Sequence, residues 1–142
     1  MTYEDARQSL LLHSFAGNDV DDPRMSAGFL GSLRPYRGLV EENFFEVMEA
    51  LKAVAPNLQS GDGLDRDVVS SLWDICLFAR CWGVQADGML RGNNIISEED
   101  VSRLEKWIDT ITWTTSCLLS RTSWLDALET GNIHHLDLSQ LK

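Results

Sequence analysis

Residues 68–82 read VVSSLWDICLFARCW, and how this stretch folds decides the architecture. No Gly or Pro interrupts it, so it can be helical throughout. Set out at the helical repeat, Val68, Leu72, Ile75, Cys76 and Ala79 form one face, while Val69, Trp73, Leu77 and Phe78 widen it to the sides. Asp67, Ser70, Ser71 and Asp74 leave only a narrow polar strip. A helix so apolar must be covered on more than one flank. Residues 67–82 are therefore expected to be the central helix of an all-α, single-domain bundle of about five helices, with Trp73 among the side chains it buries.

The neighbouring stretches supply the cover. In 39–54, Phe44, Val47, Met48, Leu51 and Ala55 recur at helical spacing, and Pro56 is expected to stop that helix. In 97–119, Val101, Leu104, Ile108, Ile111, Thr115 and Leu118 trace an inner face behind a Ser97 cap. Thr2 and Asp5 mark the start of a first helix over 2–16, ended by Gly17-Asn18, and Asp22-Pro23 suits an N-cap and N1 pair for a short turn over 24–33. Asp65 or Asp67 caps the central helix, and Gly83 stands where a helix C-terminus favours glycine. A short helix over 123–130, capped by Gly131, precedes a tail, 132–142, expected to be loosely ordered. No segment alternates at the period of a strand, so no sheet is expected.

The chain carries 22 acidic and 12 basic residues over 142 positions, a formal net charge of -10. Both halves are acidic: residues 1–60 hold nine acids and five bases, and the rest is more acidic still. Phosphate-rich partners need basic patches, so no nucleic-acid binding and no anionic-membrane binding is expected. A basic protein partner is compatible with such a charge, and so is a simple role in solubility. Three cysteines, Cys76, Cys81 and Cys117, fall inside helical patterns, and the N-terminal stretch lacks the basic lead and apolar run of a secretory leader. The expectation is reduced thiols in a cytoplasmic protein without a membrane span.

Chemistry has little support in the spacing. Cys76 and Cys81 point about 140° apart on a helix, and His13 stands alone while His134 and His135 are adjacent, so no metal-ligand pair exists and no metal is expected. The acids at 18–22 suggest a calcium loop, but Pro23 and Phe29 occupy the positions where Gly and Glu are needed, and capping explains them more simply. Gly61-Asp62-Gly63 has no preceding strand and no third glycine, and no nucleophile lies in an elbow or beside a base. Neither an enzyme activity nor a cofactor is expected.

Three features are left as candidates for partner binding. Glu42, Glu46 and Glu49 share one helix face opposite the apolar stripe, which is either a solvated face or a protein-binding surface. The connection 85–94 brings Asp87 and Arg91 together with Asn93, Asn94, Met89 and Leu90, and either serves a ligand or is pinned to the bundle by its apolar residues. Trp107 sits at the edge of the inner face of its helix, whereas Trp113 points opposite that face and is expected to be covered by another part of the fold.

These features lead to an acidic, non-enzymatic protein-binding module, of the immunity or inhibitor type that neutralises a basic partner such as a nuclease toxin. A self-associating subunit, a homodimer built on Trp107, Trp113 and Trp124, is the second reading. A helical domain that binds an anionic small molecule near Arg91 is the third.

Overall fold

Every α-helix but one begins where a short polar side chain takes up an orphan amide; the exception is the helix that starts at Glu41, which follows Val40. The structure, a computed structural model, describes residues 1–17 and 21–142. Thr2 opens α1 (Tyr3–His13) with a reciprocal capping box to Asp5, and Asp22 opens the single turn α2 (Pro23–Ser26) with Pro23 at its first position. α3 (Glu41–Gln59) follows, then α4 (Arg66–Ala79), where Asp65 accepts from the amides of Asp67 and Val68. Ser97 caps α5 (Glu98–Leu119), and Ser123 caps α6 (Trp124–Gly131). The described residues thus form an all-α domain with six helices, five of them long enough to pack as rods. The expected acidic turn at 18–22 falls partly outside the described residues.

Several boundaries differ from the sequence expectation. α1 stops at His13 rather than at Ala16, because Phe15 takes a left-handed conformation at φ 59° and turns the chain away. Pro56 does not stop α3. It lies within the last turn, exposed, and that turn is held down by Leu58, which is buried. Gly83 does not end α4 either. The chain runs on through a π-helical segment, Arg80–Val84, in which a Cβ on Gly83 would stand 2.5 Å from the Leu104 side chain of α5. Glycine there leaves room for the Leu104 side chain to pack against the segment.

α4 packs between α1 and α5, while α3 lies against α1 and α5 on its own account. The expected flanking of α4 by 39–54 is therefore taken over by α1. α3 buries a stripe from Asn43 and Phe44 to Leu58, and one continuous core joins it to Leu10, Ile75, Leu104, Ile108 and Ile111. The rings of Phe44 and Trp107 stack at 5.5 Å, with Phe29 edge-on to Trp107 at 6.4 Å.

The outer face of α4 is a correction. Trp73 is 69% exposed and Leu77 43% exposed, whereas Ser71, assigned to the polar strip, is buried and accepts a hydrogen bond from the Ser14 hydroxyl. Trp73 and Leu77 lie about 140° and 180° around the helix from Val68, beyond the arc that two flanking helices can cover. The tail is a second difference. Leu138 and Leu141 are buried, a 3₁₀ turn spans Ser139–Leu141, and the Trp124 indole N–H donates to the Leu141 carbonyl at 2.8 Å. Residues 132–142 are docked, not loose.

Candidate functional site

The N-terminal half of α3 carries Glu41, Glu42, Glu46 and Glu49 around the half-buried ring of Phe45. Phe45 is half-buried because its neighbour Phe44 points into the core, and the two rings meet edge to face at 5.2 Å. Met1 and Gln140, from the two ends of the chain, complete the walls of a groove of about 470 Å³. No lysine or arginine lines it. The nearest cation on α3, Lys52, donates to the backbone carbonyl of Lys142 at 3.3 Å, which holds it on the docked tail. Glu42, Glu46 and Glu49, expected on an open helix face, are thus brought together along a walled groove with an apolar floor.

Glu46 is held in place from beneath. Its Oε2 lies 2.9 Å from Nε2 of His13, a side chain only 3% exposed at the end of α1. The Phe29 amide donates to His13 Nδ1 at 2.9 Å, so the ring is neutral with its proton on Nε2. Burial holds the imidazole below its ordinary value of 6.5, with Glu46 acting in the opposite direction. The unfolded chain therefore takes up this proton at a higher pH than the folded one. Stability from this group is complete above about 6.5 and is lost as pH falls through the lower folded value.

The remaining expected positions are placed differently. Arg91 donates to the Val84 carbonyl at 2.7 Å and to Glu98 at 3.2 Å, so its guanidinium ties the 85–94 connection to α5, while Asp87 stays exposed. Leu90 and Ile96 pin that connection in the core, and Ile95 remains outside. Trp107, offered as a surface anchor, is 6% exposed and belongs to the core, because Phe44 of α3 stacks on it and Phe29 meets it edge-on. Trp113 is the reverse case. It was expected to be covered and is 50% exposed.

A second cluster had no sequence signal. Asp109 on α5 accepts from Arg80 at 2.8 Å through one oxygen and pairs with Nε2 of His134 at 2.8 Å through the other, joining the end of α4, α5 and the tail. Cys76 lies near it, where burial pushes its thiol up to about 11, against the pull of Thr112 and Arg80. That is the environment of a packing thiol rather than a nucleophile. The three cysteines are unbonded. Among the described residues no three His, Cys, Asp or Glu side chains converge as a metal site would require, and no helix is long and apolar enough to cross a membrane. Compared with known proteins, the chain matches no protein-family model, no curated protein and no solved structure.

Proposed function

We propose that this chain is a protein-binding module that captures a basic protein partner through the α3 groove, in the manner of an immunity or inhibitor protein. The observation that carries this reading is the groove itself: four glutamates around an aromatic floor, with no lysine or arginine in the lining. A partner lysine or arginine placed over Phe45 would meet carboxylates on both sides and the ring face beneath. The net charge of -10 adds long-range attraction, which raises the rate of encounter and weakens with salt. The buried His13 supports the reading as well, because it sets the direction of Glu46 before any partner arrives.

Capture from an extract of the native organism tests the reading. The wild-type chain should retain a basic protein at low salt and release it at high salt. Glu42→Gln, Glu46→Gln and Glu49→Gln combined should weaken retention by at least about tenfold, since charged contacts of this kind are worth roughly 1.5 kcal/mol or more when desolvated. Retention that ignores both salt and the triple change would remove the groove as the binding site.

Self-association is the second reading, and the exposure of α4 favours it. Leu64, Val69 and Trp73 form an apolar shelf beside Arg66, and Leu77 continues it one turn on. This replaces the surface expected from Trp107, Trp113 and Trp124, of which only Trp113 lies open. Trp73→Ala should leave the stability of the fold within about 1 kcal/mol, as surface changes do, while shifting sedimentation towards the monomer. A wild-type chain that sediments as a strict monomer over a concentration series would remove this reading.

A further inference from the structure

Three elements meet at His13, and both of its ring nitrogens are occupied. The contact with segment 23–33 is repeated by the backbone: the Leu30 amide donates to the His13 carbonyl at 3.0 Å, and a Cβ on Gly28 would stand 3.3 Å from His13 Cα. A second proton on the ring could go only to Nδ1, where the Phe29 N–H already points. An imidazolium has donors and no acceptor, so the Phe29 amide would be left facing a donor in a buried site. Among the described residues, the charged group turned towards the ring is Glu46 of α3. Segment 23–33 offers the ring a backbone amide, with its Arg24 bonded to the preceding Asp22, and the Ser71 hydroxyl of α4 accepts from the adjacent Ser14.

We propose that His13 is a pH-sensitive joint: a proton taken from solvent onto Nδ1 expels the Phe29 amide, loosens segment 23–33 from the end of α1, and turns Glu46 from a groove carboxylate into the counter-ion of His13. Its effect on capture rests on the reading of the groove given above, whereas the joint itself does not. The segment is also tied to α3 by Asn43, whose Nδ2 donates to the Ala27 carbonyl at 2.9 Å and to the Ser32 hydroxyl at 3.5 Å; neither bond contains a titrating group, and both would persist. The opening is therefore local. Acidification lowers the charge facing a basic partner and frees the backbone beside it in one step.

The test needs only the full-length chain labelled with ¹⁵N. Between pH 7.5 and 5, exchange protection of the Phe29 amide, corrected for the intrinsic effect of pH, should fall by about tenfold or more. It should fall together with the titration of the His13 ring. The Asp5 amide, held by Thr2 at the far end of α1, should not respond. Glu46→Gln removes the counter-charge and should move the midpoint to lower pH by roughly half a unit or more. His13→Asn presents an uncharged oxygen to the Phe29 amide and should abolish the transition. Should that variant fail to fold, the wild-type and Glu46→Gln titrations decide the matter alone. Phe29 protection unchanged down to pH 5, or a midpoint indifferent to Glu46→Gln, would overturn the joint. A clear Phe29 transition with capture equally strong on either side of it would overturn the role of Glu46 in the groove and leave the joint standing.

Discussion

Phe44→Ala is expected to lower the unfolding free energy by about 3–5 kcal/mol, a large share of what a single domain possesses. Phe44 is 1% exposed, stacks on Trp107 at 5.5 Å with an interplanar angle of 9°, and meets Phe45 at 5.2 Å. Removing the ring takes away its transfer free energy and leaves a cavity that Trp107 cannot fill, since Phe29 holds that indole from another side. The denaturant midpoint should fall with an unchanged slope. Phe45→Ala, at the groove, should cost much less. A Phe44→Ala midpoint within about 1 kcal/mol of wild type would mean that the aromatic stack is not where the stability resides.

Gly131→Ala is the second large effect, expected at about 1–3 kcal/mol from overpacking. Gly131 ends α6 where that helix presses on α5, and a Cβ there would stand 2.3 Å from Thr114 Oγ1 and 2.7 Å from the Thr114 backbone nitrogen. The backbone contact decides the outcome. Thr114→Ala removes the hydroxyl and not the nitrogen, so the double variant should remain destabilised by most of the single cost. Because the tail follows directly, displacement of α6 should also disturb the Trp124 bond to Leu141 and appear in indole chemical shifts. Full rescue by Thr114→Ala would show that side-chain crowding alone was the problem.

The groove was half legible. Glu42, Glu46 and Glu49 follow from helical spacing, and so does their position opposite the apolar stripe. What spacing could not supply was the walls. Met1 and Gln140 come from the two ends of the chain, and His13 reaches Glu46 across 33 residues. The Asp109 pair with His134 spans 25 residues and connects a helix to a segment with no period of its own. Arg91 shows the reverse error. An arginine in a long connection suggests a ligand contact, but its nearest acceptors were carbonyl and carboxylate groups of the protein itself.

What the amino-acid sequence determined by itself was the local content of the fold. Thr2, Asp22, Asp65 and Ser97 cap their helices because each bond closes within three residues, and the stripes of α3 and α5 are periodic in the residues that make them. The tertiary structure alone decided which apolar surface is covered. Residues 68–82 look as if they should be enclosed, yet α1 and α5 are the helices that flank α4, and Trp73 lies beyond their reach. The same geometry buried Trp107, exposed Trp113 and docked the tail. Periodicity records what a helix offers for burial. Coverage depends on the crossing of other helices, a long-range arrangement that no single stretch of sequence contains.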